Sequence, residues 1–525
     1  MKKRSIFVLA LVLVLGFVFS GCSGDARTIF YYALSSKPIT LDPQLARDDT
    51  AFLIIENCFE GLMRDNGDGT VSLGVAESYS VSEDGLTYTF KLRDDCFWTK
   101  IDEPVTAYDF VFAFRRLLSK TTQAPFAEDY LCIKGAAQLL AGEEPSVFGV
   151  SAPNDYTLVF TLEEPSPDFL FSLTKAAAMP CNEEFFVAQK GKYGHIYYNL
   201  IYNGPFYISS YRENDYWKIR RNSGYSSSAL ALPYGVNMYY LPNNTPLQNL
   251  TDGYSDIAKV SPAELALLEN EGFAHGEITN KTWVIALNSK DPLFENDDMR
   301  RAVACAINYP DLAASFPSDF SAANGLIPPA SILSGLSYRS LAGDSAYLGY
   351  DPDAAKDYLD SAESALPDGA LSSIQLYCPD DTLDFVVGKI QKNIQDALSV
   401  QVNVVRVSRS QLDSVTQSGN YQLALIPLEP TLSSPAAVLS PFASEDNFTG
   451  FYSAEFISFY NAAISASDPS SAVSHYKKAE QLLIENNVLL PVAYQTSYFA
   501  LVDEISGLFF PSFSEKVFFK YTEIK

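Results

Sequence analysis

Residues 77–116 read ESYSVSEDGLTYTFKLRDDCFWTKIDEPVTAYDFVFAFRR, and the period of their hydrophobic residues changes part-way along. Tyr79 and Val81 alternate with serines, and Phe90 and Leu92 alternate with threonine, lysine and arginine after an acidic-glycine segment. Alternation with a period of two is typical of a half-buried strand, and the acidic-glycine segment supplies a turn. The first half of this stretch therefore predicts a β-hairpin with one buried face.

The second half of the stretch predicts an amphipathic helix that begins after a proline. Thr106 is suited to cap this helix, and Asp109 stands three residues later, as in a capping box. Apolar residues then follow at the spacing of one helical face, and they are Phe110, Phe114, Leu117 and Leu118. A hairpin that leads into such a helix occurs in many α+β folds, so the pattern alone does not indicate a function.

The composition indicates a large and strongly acidic globular protein. The chain has 525 residues, of which 47% are hydrophobic and 13% aromatic, enough for more than one large core. Its 37 basic and 63 acidic residues give a formal net charge of −26. Such a surface repels nucleic acid and anionic lipid head groups, so we expect no nucleic-acid partner.

The N-terminal segment predicts export. A basic start is followed by an apolar run that is too short to span a membrane comfortably. A serine, a glycine and Cys22 close this run and resemble a bacterial lipobox, in which the cysteine is lipidated and becomes the mature N-terminus. We therefore expect residues 1–21 to be a lipoprotein signal peptide and residues 22–28 a tether, with the lipid anchor as the membrane contact. The alternative is an ordinary secretory signal in which Cys22 has no role.

The sequence has no recognisable catalytic or metal-binding motif. It lacks a nucleophile elbow, a phosphate-binding glycine loop, a dinucleotide-binding fingerprint and an HExxH pattern. The three histidines stand far apart, and the six cysteines that follow Cys22 contain no CxxC pair. We therefore expect no enzyme activity, no cofactor and no metal. We expect the cysteines to be buried free thiols, and the alternative is a disulfide among the fifteen pairings that six thiols allow. A surface-anchored hydrolase or an adhesion protein is the alternative from a different class.

Motifs along nearly the whole mature chain resemble those of one family. The turn, the YTF strand, the tryptophan and the PVTAYDF helix start within residues 83–110 resemble the signature of the solute-binding proteins of oligopeptide and dipeptide ABC importers. Other matching motifs are LDP at 41–43, FEGL at 59–62, EPSPDF at 164–169, NGPFY at 203–207 and DDMRRAV at 297–303. The chain therefore resembles the bacterial extracellular solute-binding proteins of family 5.

The resemblance implies an α/β, two-lobed periplasmic-binding-protein-like fold (class II, large type) with mixed sheets. It further implies an extra subdomain inserted in the first lobe and a hinge between the lobes. The expected boundaries are a first lobe at 29–280 with its insertion at about 60–190, a second lobe at 281–495, a return to the first lobe at 496–525, and a hinge near 279–283 and 492–498.

Two further local patterns predict elements of the second lobe directly from the residues. Strand-like segments at 374–377 and 402–407 flank a helical segment at 385–398, which predicts a β-α-β unit with a right-handed parallel crossover. Asp351 followed by Pro352 predicts the start of a helix, because aspartate caps and proline favours the first turn.

The resemblance also suggests ligand-binding residues. The first ligand-contacting segment of the family lies shortly after LDP, which corresponds here to Arg47, Asp48 and Asp49; a solvated charged loop is the alternative. Trp283 falls among the family's cleft aromatics where the chain crosses between lobes, and core packing is its alternative. An extended peptide would pair its backbone with both lobes, which implies broad side-chain specificity.

Residues 421–439 show the most informative departure from the family. Peptide-binding relatives have a tryptophan and an aspartate here, and the aspartate holds the α-amino group of the peptide by a charge-assisted bond. In this chain Leu428 stands at the tryptophan position and Thr431 at the aspartate position. Either Glu429 takes over the amine-binding role, or the ligand has no free amino terminus at this place.

Taken with the resemblance, these features predict a lipid-anchored substrate-binding component of an ABC importer. We expect an extracytoplasmic monomer, at the cell surface or in the periplasm, that captures oligopeptides between its lobes and delivers them to membrane permease subunits. Within the same class, the alternative is a binding protein or receptor for a non-peptide solute or a signalling peptide.

Overall fold

The computed structural model describes residues 28–524 with short gaps. The gaps are residues 67–69, 102, 167–168, 226–230, 334, 346–348, 368–370, 381–382, 431–433, 467, 503–504 and 509–516. The predicted signal peptide, Cys22 and Thr431 lie outside the described residues.

Strands are numbered here in chain order. Those within the described residues are β1 (Ile29–Leu34), β2 (Met63–Asp65), β3 (Val71–Leu73), β4 (Ala76–Val81), β5 (Thr87–Leu92), β6 (Val150–Asn154), β7 (Thr157–Thr161), β8 (Phe206–Arg212), β9 (Tyr216–Arg221), β10 (Gly235–Tyr240), β11 (Ile257–Val260), β12 (Ala274–Leu287), β13 (Phe320–Ala322), β14 (Ile332–Leu333), β15 (Leu336–Ser337), β16 (Ile374–Pro379), β17 (Val402–Val407), β18 (Leu423–Leu428), β19 (Leu489–Leu501), β20 (Ile505–Ser506) and β21 (Glu523–Ile524).

Helices are numbered in the same way, with short 3₁₀ turns left out. They are α1 (Asp49–Cys58), α2 (Ala107–Leu118), α3 (Ala136–Ala141), α4 (Phe169–Ser172), α5 (Glu183–Ala188), α6 (Pro246–Thr251), α7 (Pro262–Asn270), α8 (Asp297–Ala306), α9 (Tyr309–Ala313), α10 (Tyr338–Ala342), α11 (Pro352–Ala365), α12 (Asp384–Leu398), α13 (Arg409–Gln417), α14 (Pro435–Leu439), α15 (Ala454–Ile464) and α16 (Pro469–Glu485). Within the described residues, no helix has the length and apolar character needed to cross a membrane.

The first lobe contains two four-stranded sheets. One has the order β1-β10-β9-β8, with β1 and β10 parallel and the other neighbours antiparallel. The other, β4-β5-β7-β6, is antiparallel and comes from the segment predicted as an inserted subdomain. Buried residues of both sheets form one continuous hydrophobic cluster, which also includes Phe519 near the C-terminal end. The last part of the chain therefore packs in the first lobe.

A third sheet runs from the first lobe into the second. Its order is β11-β19-β12-β18-β16-β17, and β13 also pairs with β19. The long strands β12 and β19 are antiparallel to each other. Phe499 packs in the first-lobe core, whereas Trp283 and Ala493 pack in a core of the second lobe. These two strands therefore connect the lobes.

The second lobe has a hydrophobic core on each face of this sheet. Trp283, Ile285 and Leu287 contribute to one core, and Val284 and Ala286 contribute to the other. All five residues are fully buried. A strand covered on both faces is hydrophobic at successive positions, so its sequence does not show which face a residue occupies.

The predicted β-α-β unit of the second lobe is confirmed. Strands β16 and β17 pair in parallel along their whole length, and helix α12 lies between them in the chain. The predicted start of helix α11 is also confirmed, because Asp351 Oδ1 accepts a hydrogen bond from Ala354 N at 3.0 Å and Pro352 occupies the first turn.

The predicted hairpin and amphipathic helix are confirmed as elements. Strands β4 and β5 pair antiparallel, and Phe90 and Leu92 are buried. Helix α2 follows Thr106, whose backbone N–H donates to Asp109 Oδ2 at 2.7 Å in the expected capping box. The apolar face of α2 is fully buried, including Phe114.

The predicted burial of the first hairpin strand is wrong. Tyr79 and Val81 are 41% and 43% exposed, although Tyr79 lies opposite Phe90 with the ring centroids 5.7 Å apart. The reason is that β4 is the edge strand of its sheet, so these side chains lie where the core ends.

The cysteines of the described region are free thiols. They are Cys58, Cys96, Cys132, Cys181, Cys305 and Cys378, and all except Cys132 are buried. Burial raises the pKa of the Cys96 and Cys181 thiols to about 12. These thiols therefore stay protonated and unreactive at neutral pH.

Candidate functional site

A cleft of about 880 Å³ lies between the two lobes. The first lobe contributes most of its wall, including Tyr32, Phe52 and Lys259, and the second lobe contributes Lys281 and Glu429. Pockets of roughly 300–1,000 Å³ are typical of small-molecule sites in proteins. The cleft is therefore large enough for an organic ligand that contacts both lobes.

Helix α1 presents one face to this cleft. Asp49, Phe52, Leu53 and Glu56 on that face line the wall. They stand at positions i, i+3, i+4 and i+7 of the helix, a spacing that places side chains on the same side. The helix therefore contributes both apolar and acidic groups to the site.

Much of the first-lobe wall is apolar. The rings of Phe52 and Phe126 have centroids 5.6 Å apart, and Phe499 of β19 lies on the same wall. Tyr130 also lines the wall, with its hydroxyl donating to Ser172 O at 2.8 Å. This surface can bury the apolar part of a ligand and exclude water from its polar contacts.

Charged side chains are distributed over the same wall. Among the lining residues that the structure describes, they are Asp49, Glu56, Asp129, Lys175 and Lys259. Burial raises the pKa of the Asp129 carboxyl, and nearby Lys175 opposes this increase. Glu56 is half-buried, and its carboxylate has no hydrogen bond or ion pair with any described residue, so this carboxylate can accept a hydrogen bond from a ligand.

The pairing of strands brings Lys281 and Glu429 together on the second-lobe wall. Strands β12 and β18 are antiparallel with Thr282 opposite Leu428, so the next pair outward is Lys281 opposite Glu429. The two side chains form an ion pair. Opposite charges directly across two strands are a favourable cross-strand pair.

Arg409 adds a second cation to this pair. Its Nη1 lies 4.0 Å from Glu429 Oε1, and its guanidinium carbon lies 4.8 Å from the ring centroid of Trp283. Trp283 is fully buried, and its Nε1 donates to Gln495 Oε1 at 3.0 Å. The buried indole therefore supports the guanidinium beside Glu429 through a cation–π contact.

The two connecting strands pair irregularly beside the cleft. Thr279 and Asn280 of β12 lie against Thr496 alone on β19, the two-against-one arrangement of a β-bulge. The hydroxyl oxygens of Thr279 and Thr496 are 2.8 Å apart. A second irregularity follows Trp283, beside Pro491. Both irregularities lie within or next to the segments predicted as a hinge.

Comparison with known proteins agrees with this architecture. Residues 70–450 match the family model of the bacterial extracellular solute-binding proteins, family 5 Middle, and this range covers well over half of the chain. The chain belongs to this family.

Two relatives of this family 5 protein are similar along nearly its full length. The oligopeptide-binding protein OppA of Bacillus subtilis (strain 168) is 26% identical over 551 aligned residues, covering 99% of each chain. The dipeptide-binding protein of Lactococcus lactis subsp. cremoris (strain MG1363) is 25% identical over 549 residues, covering 98% of each. The similarity therefore includes both lobes.

A solved structure shows the same fold. Listeria monocytogenes OppA bound to peptide superposes with a TM-score of 0.70 at 22% identity, covering 95% of this chain and 100% of that chain. This match confirms the predicted two-lobed α/β fold.

The segment that follows LDP reaches the cleft at one position. Asp49 lines the cleft, whereas Arg47 is exposed and is not among the lining residues of the described chain. Asp48 caps helix α1, since its Oδ1 accepts from Ala51 N at 2.8 Å and its Oδ2 accepts from Ile39 N at 3.0 Å. In this structure Asp48 therefore positions the helix that carries Asp49.

The candidate residues of the second lobe also separate into wall and core. Glu429 lines the wall, whereas Trp283 and Leu428 pack in the second-lobe cores. Trp283 thus has the core packing that was the alternative for it, and its ring contacts Arg409, which in turn lies near Glu429. Thr431 lies outside the described residues, so its role stays a prediction.

Several residues in the cleft wall or beside it could not be identified from the motifs. The sequence contained one indication that Glu56 lines the site, because Glu56 stands seven residues after Asp49 and therefore on the same helical face. The sequence contained no such indication for Lys281 and Arg409, because their proximity to Glu429 depends on the register of strands that are far apart in sequence. In the described ranges, no group of three or more His, Cys, Asp or Glu side chains could hold a metal ion.

Proposed function

We propose that this protein is the substrate-binding component of an ABC importer and that it captures oligopeptides in the cleft between its lobes. The observation that carries this proposal is a cleft whose wall is built by both lobes of a solute-binding fold. A ligand that contacts both walls gains contacts only when the lobes close. It therefore shifts the open–closed equilibrium by its difference in affinity for the two states.

The hinge for this closure lies near residues 279–283 and 492–498, between a first lobe at 29–280 and a second lobe at 281–495. The bulge at Thr279 and Asn280 supports this assignment, because extra unpaired residues let a strand bend without breaking the rest of its ladder. The packing of Phe519 supports the return of residues 496–525 to the first lobe.

Peptide recognition uses the edge strand β1, whose end lines the cleft at Tyr32, Ala33 and Leu34, together with Ser35, which follows it. The outward N–H of Ala33 already donates to Ser255 Oγ at 3.1 Å, so pairing with a ligand begins at Ser35. Main-chain hydrogen bonds are common to all peptides, which gives broad specificity. The relatives named for oligopeptides and dipeptides support this choice of ligand.

The protein works as a monomer outside the cytoplasm, is anchored by lipid at Cys22 and delivers its ligand to a membrane permease. The N-terminal segment supports the anchor, since a basic start, an apolar run and small residues precede Cys22. Two acyl chains are enough for stable membrane attachment, whereas one is marginal.

A second candidate ligand is a non-peptide solute that carries a carboxylate. The observation in its favour is the Lys281–Glu429 ion pair, because Glu429 is already partnered and the nearby Arg409 is also cationic. Both candidate ligands require the same cleft and the same closure, so the structure of the site does not distinguish them. Binding measurements with defined peptides and with defined non-peptide carboxylates do.

Ligand-dependent stability tests the peptide function. Pools of tripeptides to octapeptides are added to the purified protein, and its Tm is measured. A ligand at 100 times its Kd stabilises the folded state by about 2.7 kcal/mol, so we expect a clear rise in Tm. An equimolar mixture of free amino acids is the control. Unchanged Tm with every pool, together with turnover of an ester or a glycoside, would show that the protein is an enzyme instead.

A further inference from the structure

The connecting strand β19 is paired with a different lobe at each end of one of its edges. Strand β12 occupies one edge of β19, so β11 and β13 share the other edge. On that shared edge, β11 of the first lobe pairs with residues 498–501, and β13 of the second lobe pairs with residues 493–495. The pairing therefore passes from one lobe to the other at residues 496–497, within the segment proposed as a hinge.

A second-lobe segment, residues 318–330, lies against both connecting strands at this place, and we call it the hinge brace. Near its beginning, Asp319 O accepts a hydrogen bond from Thr496 N of β19 at 2.8 Å. At its end, Ala330 N donates to Thr279 O of β12 at 3.0 Å. The hinge brace therefore contacts both strands where their pairing is irregular.

The hinge brace is fixed to the second lobe by a buried carboxylate. Glu480 of helix α16 is fully buried, and its Oε1 accepts from Leu326 N at 2.7 Å and from Ile327 N at 3.0 Å. Arg339 forms an ion pair with the same carboxylate. A buried carboxylate is stable only with such partners, so the brace and helix α16 move together with the second lobe.

The side chain of Tyr498 connects the first lobe to the hinge brace. Tyr498 lies opposite Val260 of β11 in the first-lobe part of the sheet. Its hydroxyl donates to Ser318 O, at the beginning of the brace, at 3.3 Å. This hydrogen bond therefore joins groups that belong to different lobes.

The contact between Tyr498 and Ser318 lies on the side of the sheet that faces away from the cleft. Phe499 lines the cleft, and neighbouring residues of a strand point to opposite faces. Tyr498 accordingly packs against the cluster that contains Val260 and Leu265 on the other face. A rotation about the hinge that brings the two cleft walls together moves the lobes apart on this opposite side.

We propose that Tyr498 is a positioning residue for ligand binding, because its hydrogen bond to Ser318 stabilises the lobe arrangement described here and is broken when the lobes close. This inference rests on the proposed function, since it requires that a ligand closes the lobes. It assigns to the side of the hinge away from the cleft a contact that opposes closure and so limits the affinity.

The expected effect on affinity has a definite sign. The apparent Kd is the intrinsic Kd divided by the fraction of molecules in the arrangement that binds the ligand tightly. A hydrogen bond that exists only before closure lowers this fraction, so its removal raises the fraction and strengthens binding. One hydrogen bond changes such an equilibrium by about threefold to tenfold, and we expect about threefold for this partly exposed bond.

The test measures the Kd of a random pentapeptide pool by calorimetry for the wild type and two variants. Tyr498→Phe keeps the packed ring but removes the hydroxyl, and it should bind the pool about threefold more tightly. Tyr421→Phe is the matched control, because it removes a hydrogen bond from a tyrosine hydroxyl to Phe448 O, at 3.0 Å, within the second lobe. Its Kd should equal that of the wild type. Thermal unfolding without ligand checks that both variants fold.

A purely structural role for Tyr498 would leave the Kd unchanged or raise it, so either result for Tyr498→Phe overturns the inference and leaves the peptide function standing. Equally tighter binding by Tyr421→Phe also overturns it. Small-angle X-ray scattering of the wild type should show a smaller radius of gyration with the pool than without it, and an unchanged radius would contradict closure. Failure of all three proteins to bind the pool contradicts the proposed function and the inference together.

Discussion

Lys520 is a buried cation in the first lobe. Its Nζ donates to the hydroxyl of Tyr225 at 3.0 Å, and that hydroxyl donates to Glu60 Oε1 at 2.6 Å. Arg64 forms an ion pair with the same carboxylate. Burial is the main reason that the pKa of Lys520 falls from 10.5 to about 8, and the charge of Arg64 lowers it further.

Lys520→Met should change how stability depends on pH. Between pH 8 and 10.5, Lys520 is protonated in the unfolded chain but deprotonated in the folded protein. Because the unfolded state binds more protons in this window, the free energy of unfolding of the wild type increases as the pH rises. From pH 7 to 9.5 this gain is about 2 kcal/mol, and the variant lacks it. Urea unfolding of both proteins at the two pH values measures the difference. Lys356→Met, at an exposed lysine, is the control, and parallel profiles for Lys520→Met and wild type would contradict the assignment.

At the scale of elements, helix α2 and the sheet β4-β5-β7-β6 share an aromatic core. Phe114 of the helix is fully buried, with its ring centroid 5.0 Å from that of Phe160 on β7 and 5.5 Å from that of Tyr130. The periodicity of residues 77–116 predicted the helix and the strand, whereas the contact with β7 needs a segment much later in the chain. The packing joins these elements into one unit.

Phe114→Ala should destabilise the first lobe strongly. Removal of a buried phenylalanine ring leaves a cavity in a packed core and costs about 3–5 kcal/mol. Tyr108 lies on the same helix but is 53% exposed, so Tyr108→Ala should change stability by less than about 0.5 kcal/mol. Thermal and denaturant unfolding of the two variants measures the contrast. Similar losses in both would contradict the assignment of the stability difference to the buried ring of Phe114, because alanine favours the helix at both positions.

At the scale of the whole molecule, the protein combines two lobes, a cleft between them and a strongly acidic chain. The formal net charge of −26 opposes contact with anionic membranes and nucleic acid. Membrane association therefore needs an attractive contribution from outside the folded surface. The proposed lipid at Cys22 supplies it by inserting two acyl chains.

Cys22→Ser should release the protein from the membrane without changing its fold. Without the thiol no lipid can be attached, so the protein is expected in the soluble extracytoplasmic fraction. Cell fractionation followed by immunoblotting measures the distribution. Cys132→Ser, at a half-buried free thiol within the folded chain, is the matched control and should stay with the membrane fraction. Membrane retention of the Cys22→Ser protein would refute lipid anchoring.

The sequence by itself determined features that arise from neighbouring residues. The capping box of Thr106 and Asp109, the start of α11 at Asp351 and the parallel β-α-β unit each depend on spacing within a short segment. The resemblance of ordered motifs extended this information to the family and the two-lobed fold. Local periodicity suffices here because each element buries a face that its own residues define.

Only the tertiary structure decided which residues form the cleft walls. Trp283 belongs to a strand that is covered on both faces, so its sequence could not distinguish cleft from core. Tyr79 has the period of a buried residue but lies on an edge strand. The contact of Lys281 with Glu429, and the support of Arg409 by Trp283, depend on strand register and on packing between distant segments. The physical reason is that long-range pairing determines which charges meet, and no local pattern encodes it.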